Sequence, residues 1–187
     1  MQEESINPYE SPQSAVSDEV TSTASLIFFT TSTLKFVVMS ICTFGIYELY
    51  WFYKNWVQVK ARDGTSISPF WRAFFAPFWA YSYFKHVKAS ANENDVPESL
   101  NIRLLATMYF IALALSQSPD PYWLVGLLSF VFIIPVNSVA VDCNRKLQAN
   151  FENNDSFSWW NWVAVVFGGV LVVLSVVSAF FPQDLQI

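Results

Sequence analysis

K-F-V-V-M-S-I-C-T-F-G-I-Y-E-L-Y-W-F-Y-K-N-W, Lys35 to Trp56, is the stretch whose reading decides the fold. From Phe36 to Tyr53, Tyr and Cys aside, the one ionisable side chain is Glu48. Wound as a single helix at about 1.5 Å per residue, this run would cover roughly 27 Å, close to the hydrocarbon thickness of a bilayer. Tyr47, Tyr50, Trp51, Tyr53 and Trp56, closed by Lys54, are the amphipathic rings and snorkelling cation of a helix leaving lipid. The spacing predicts a first transmembrane helix over 36–53.

Composition agrees with a membrane class. Of 187 residues, 53% are hydrophobic and only 13% charged, and the apolar residues come in long blocks. The net charge of −5 is a tail effect, because five of the acids lie in the first 19 residues. The remaining acids balance the ten Lys and Arg, so nothing points to nucleic acid. Cys42 and Cys143 show no paired spacing and there is one histidine, which disfavours a disulfide framework or a metal site. The acidic start is not a signal peptide, so the first helix is expected to insert as its own signal.

Outward from the opening stretch, residues 1–24 are Ser-, Glu- and Pro-rich and are expected to be a disordered tail carrying N-P-Y-E-S-P (Asn7 to Pro12), ahead of a helical membrane domain over 25–187. Leu26 to Phe29 are apolar enough to lie at the interface or dock on the bundle. The run 69–86 is short for a span, with Arg72 and an internal Pro77, and is expected to lie in the headgroup region or dip in partway. Further spans are expected over 100–117, 122–141 and 159–181. The turn Ser118–Pro121 forces the middle pair antiparallel, and Pro135 should kink the third. The fold class expected is all-α and polytopic, with four transmembrane helices plus one interfacial or re-entrant aromatic helix; the alternative is five spans.

The cations choose between these. With four spans, Lys54, Lys60, Arg62, Arg72, Lys85, Lys88, Arg103, Arg145 and Lys146 share one side and Lys35 alone takes the other; five spans divide them more evenly. The positive-inside rule favours four spans with both termini outside the cytoplasm.

Glu48 and Arg72 are charges inside apolar-aromatic runs, and a buried carboxylate demands a partner, so they are the candidate intramembrane ion pair. As a structural element the pair staples the aromatic helix to the first span; as a functional one it lines a polar crevice. Ala164, Gly168, Ser175 and Ala179 form a candidate small-residue packing face, equally suited to an internal seam or a homo-oligomer contact. Lys54, Lys60, Arg62, Lys85 and Lys88 are candidate contacts for lipid headgroups, with Trp71, Phe74, Phe78 and Trp79 inserting. His86 reads as an interfacial side chain. Asn137, Asp142 and Asn144 are a weak cation cluster. No nucleophile elbow, paired carboxylates or metal motif is present, so neither catalysis nor a cofactor is expected.

Thr43 to Trp56, I-S-P-F-W-R-A-F-F-A (Ile67 to Ala76) and W-N-W-V-A-V-V-F-G-G (Trp160 to Gly169) resemble an uncharacterised family of small bacterial multi-pass inner-membrane proteins. The resemblance implies a helical bundle in the bacterial cytoplasmic membrane and no particular activity. The function expected is that of a non-enzymatic, lipid- or protein-interacting membrane component; the alternative is a small transporter or channel component using Glu48 and Arg72.

Overall fold

Thr43, Phe44 and Gly45 prevent the opening stretch from becoming one helix. The computed structural model, which describes residues 28–180, ends helix α1 (Thr33–Cys42) there and starts α2 (Ile46–Asp63) immediately after. Phe44 (φ 50°) and Gly45 (φ 83°) are both left-handed. Gly45 N–H donates to the Ser40 carbonyl at 2.9 Å and Phe44 N–H to that of Ile41 at 3.2 Å, the double closure of a Schellman turn. The Thr43 hydroxyl bridges the joint, donating to Met39 O and accepting from Tyr47 N–H. The chain then doubles back, so that Phe36 meets Tyr47 and Trp51 with ring centroids 5.9 and 5.7 Å apart. The expected helix over 36–53 is thus a helical hairpin. A glycine whose missing Cβ permits positive φ overrides the apolar run.

Phe28 to Thr31 lie extended along this hairpin, and three buried asparagines satisfy their backbone. Asn144 bonds both N–H and C=O of Phe28, Asn55 does the same for Phe29, and Asn137 donates to Thr31 O while accepting from the Trp51 indole. The docking expected of this apolar segment is observed for Phe28 and Phe29. The same bonds employ Asn137 and Asn144, two of the three residues of the expected cation cluster, in holding backbone. They also bring Phe28 to the far end of α2, its ring 5.9 Å from the Arg62 guanidinium. The expected tail 1–24 and the last residue of the expected span 159–181 lie outside the described residues.

The expected helix over 69–86 is two helices, α3 (Pro69–Phe74) and α4 (Ala76–Glu93), separated at Phe75 with Pro77 in the first turn of α4. A proline there starts a helix well but cannot continue one from the preceding turn. α2 and α4 cross at Tyr83, whose ring meets Trp51, Phe52 and Trp56, and Arg62 farther along α2 meets His86. α3 returns between them against Ile46, Leu49 and Tyr53, so α3–α4 is a second hairpin.

α5 (Ile102–Leu115), shorter than the expected span over 100–117, runs back along α4, with Leu100 at Lys88 and Phe110 at Phe78. A 3-10 helix (Tyr122–Phe132) then returns antiparallel to α5, as the two-proline turn requires. Three residues per turn align Gly126 with Ser129: the first faces Ser116, the second Glu48. Winding changes to α at α6 (Ile134–Leu147), whose first turn holds Pro135, where the kink is expected. α7 (Trp159–Phe180) is one uninterrupted helix lying along α1.

Among the described residues the fold is all-helical, without strands. Two helical stretches, Tyr122–Leu147 and Trp159–Phe180, are long and apolar enough to cross a membrane. Trp51, Phe52, Trp56, Tyr83, Phe84 and Tyr109 fill the centre. The C-terminal ends of α2, α4 and α6 meet at one pole, where Lys146 Nζ reaches Asp95 O at 2.8 Å. No Lys or Arg occurs in 36–53, 104–144 or 147–180.

Candidate functional site

Glu48 and Arg72 do not pair. One turn into α2, Glu48 is 1% exposed and faces the 3-10 helix, its Oε1 accepting from Ser129 Oγ at 2.8 Å while Oε2 finds no hydrogen-bond partner. Arg72 lies between two indoles instead, its guanidinium carbon 4.5 Å from the Trp56 ring centroid and 4.3 Å from that of Trp79. A planar, weakly hydrated cation stacks well on such faces. The expected ion pair is corrected to two separate devices, and the staple between α2 and the aromatic hairpin is this stacked arginine.

The five cations expected at headgroups divide. Lys54 sits 5.8 Å over the Phe29 ring. Arg62 pairs with Asp63 at 2.8 Å and contacts His86 Nδ1 at 3.2 Å; Lys88 pairs with Glu98 at 2.9 Å. Lys60 and Lys85 are exposed. The Arg62 hydrogen bond holds the Asp63 carboxyl below the usual range, and the Lys88 hydrogen bond does the same for Glu98. Burial pushes His86 down against the field of Asp63, which favours its neutral form. Trp71, Phe74, Phe78 and Trp79 all remain exposed on the α3–α4 hairpin.

The small-residue face is resolved into an internal seam over its first half. Gly168 is buried so tightly that a Cβ there would lie 1.7 Å from the Cys42 carbonyl oxygen, and Ala164 packs partly buried against the core. Ser175 and Ala179 lie two and three turns beyond that contact, past the end of α1.

A polar concavity is present that the sequence did not single out. Lys35, Tyr47 and Tyr50 on one side and Asn154, Ser156 and Asn161 on the other enclose a hollow of about 390 Å³. Lys35 is 3% exposed; its ammonium donates to Asn154 Oδ1 at 2.8 Å and to Ser156 O at 2.7 Å. The available signal was a lone lysine at the edge of an apolar run, followed much later by an Asn-rich connector. Their meeting depends on the α1–α7 packing, which no local pattern encodes. Among the described residues no cluster of His, Cys, Asp and Glu is arranged to hold a metal ion. No family model, curated protein or solved structure matches the chain.

Proposed function

We propose that the chain is a non-enzymatic, multi-pass component of a bacterial cytoplasmic membrane that engages anionic lipid through the aromatic-basic surface of the α3–α4 hairpin. One observation carries the reading. Large apolar side chains stand exposed along α3, α4, α5 and α7, among them Phe70, Phe78 and Phe167 at 58%, 70% and 69%, while no Lys or Arg occurs in 36–53, 104–144 or 147–180. A water-facing surface would not leave such a belt bare, whereas lipid covers it without penalty.

In this reading α5, the stretch Tyr122–Leu147 and α7 cross the bilayer, and the α1–α2 and α3–α4 hairpins dip in from the cationic side. α5 is short for a span, but the chain has to climb from Lys88 to Tyr122 and α5 is the segment that does so. Phe28 beside Arg62 puts the entry to α1 on the cationic side, so Lys35 joins the other nine cations. The positive-inside rule then assigns that pole to the cytoplasm and the far end of α7 to the opposite face, in place of two outward termini. Lys60 and Lys85 supply attraction to anionic headgroups, and Trp71, Phe74 and Phe78 insert deeper into the bilayer.

A membrane-impermeant thiol reagent tests the arrangement in intact cells, in a background with Cys42 and Cys143 replaced by Ser. It should label Ser118→Cys and spare Ser14→Cys and Thr65→Cys. Labelling of Thr65→Cys with Ser118→Cys protected would overturn it, and so would a chain released from membranes by alkaline carbonate.

A further inference from the structure

We infer that the hollow at Lys35 is a binding site for the phosphate of an anionic membrane phospholipid, whose acyl chain lies along the seam between α1 and α7. The inference rests on the membrane reading above but concerns a different surface from the α3–α4 hairpin.

Three observations carry it. First, the ammonium of Lys35 is buried and satisfied only by neutral oxygens. Two of its three donors are used, and no carboxylate pairs with it among the described residues. Asp155 is near enough for its field to be felt without forming an ion pair. A buried cation of this kind is stabilised by an anion that enters the hollow. Second, Tyr47, 6% exposed and lining the same hollow, has a hydroxyl with no partner at hydrogen-bond geometry. Its O–H is an orphaned donor where an anionic oxygen would sit. Third, the seam between α1 and α7 that bears the polar hollow at one end bears an apolar one farther along. Lys35 and Cys42 are two turns apart on one face of α1, and Asn161, Val165 and Gly169 recur every fourth residue on one face of α7. Cys42, Val165, Gly169 and Val173 line a groove of about 470 Å³ with almost wholly apolar walls. Cationic head pocket and greasy groove therefore share one seam, the division of chemistry that a phospholipid itself has.

The test uses the full chain purified in a mild non-ionic detergent with equal amounts of phosphatidylglycerol and phosphatidylcholine, the retained lipid being counted by native mass spectrometry. The wild-type chain should retain the anionic lipid about tenfold over the zwitterionic one, the scale of one charge-assisted contact. Lys35→Gln should abolish the preference, whereas Lys60→Gln and Lys85→Gln should leave it, which separates this site from the α3–α4 surface. Gly169→Leu should reduce retention of both lipids, because its side chain fills the groove where a Cβ has only Cys42 Sγ at 3.8 Å. If Lys35→Gln does not fold, Tyr50→Phe, at a residue 46% exposed on the rim, should halve the preference or more. Equal retention of the two lipids by the wild type, a preference that survives Lys35→Gln, or stabilisation by inorganic phosphate matching that by the lipid would overturn the assignment. Release by carbonate, by contrast, would remove the membrane reading itself.

Discussion

The stretches 35–56 and 159–180 read alike as sequence, each apolar, aromatic at one edge and interrupted by glycine, yet the protein treats them in opposite ways. In the first, Gly45 takes a positive φ and turns the chain back on itself. In the second, Gly168 stays helical and serves to let a neighbouring backbone approach. The first stretch buries Phe36, Trp51, Phe52 and Trp56; the second buries only Gly168 and leaves Val166, Phe167 and Val170 bare. What separates them is the company each glycine keeps. Thr43 and Phe44 before Gly45 favour a helix end, Thr by the hydrogen bonds its hydroxyl makes across the joint, whereas the pair Gly168-Gly169 is flanked on both sides by a long apolar run that keeps the helix going.

The largest break in this comparison should come from Gly168. A methyl there must displace the Cys42 backbone, so Gly168→Ala should cost about 3 kcal/mol or more and open the α1–α7 seam. Gly169→Ala, one residue on, meets only open space and the edge of a sulfur, and should be neutral or stabilising by up to about 1 kcal/mol. Thermal unfolding of the two variants in detergent measures the contrast. Similar effects of both would mean that α7 does not rest on α1 through Gly168.

The next effect is one of sign. In an uninterrupted helix Gly45→Ala would stabilise and Phe44→Gly would destabilise, each by about 1 kcal/mol. At a left-handed pair the signs reverse: Gly45→Ala should cost about 1–2 kcal/mol and Phe44→Gly should gain about 1 kcal/mol. Two melting curves therefore decide whether 36–53 is a hairpin or a span.

These positions also show how far the sequence was legible. Hydropathy and length found α7 almost to the residue and located the α5 turnaround, because a two-proline turn and a long apolar run are local signals. Pro135 is the expected kink and a helix restarts there, whereas Pro77, read as internal to one helix over 69–86, instead opens a new one. The hairpin at Gly45 was missed because hydropathy sums side-chain transfer energies and carries no information on φ. The Glu48–Arg72 pair failed for another reason: two opposite charges inside apolar-aromatic runs invite pairing, while a serine 81 positions away and two indoles were the partners that packing supplied. The Lys35 hollow and the asparagines holding Phe28 to Thr31 are likewise meetings of distant residues.

A smaller effect sharpens that second point. Because Glu48 and Arg72 touch different groups, losses from Glu48→Gln and Arg72→Gln should add to within about 0.5 kcal/mol in the double variant. Arg72→Lys, which keeps the charge but loses the planar face, should still cost about 1 kcal/mol. A coupling energy well above that additivity limit would restore the ion pair.

The smallest effect belongs to the cationic pole and is read from pH. Glu98 and Asp63 have folded-state pKa values below their ordinary ones, because Lys88 and Arg62 hydrogen-bond the ionised carboxylates. Their contribution is complete above the ordinary carboxylate range and is lost as pH falls through the lower folded values. His86 is lowered too, by burial, so its contribution is complete above its ordinary value near 6.5 and shrinks as acid protonates the unfolded chain first. The melting temperature should therefore fall in two stages on acidification, a shallow one beginning just below neutrality and a second in the carboxylate range. His86→Gln should remove the first stage alone, and Lys88→Gln together with Glu98→Gln should flatten part of the second. These groups sit at the pole remote from Gly45 and Gly168, so neither charge variant should alter the sign or size of the glycine effects, since sites this far apart contribute independently.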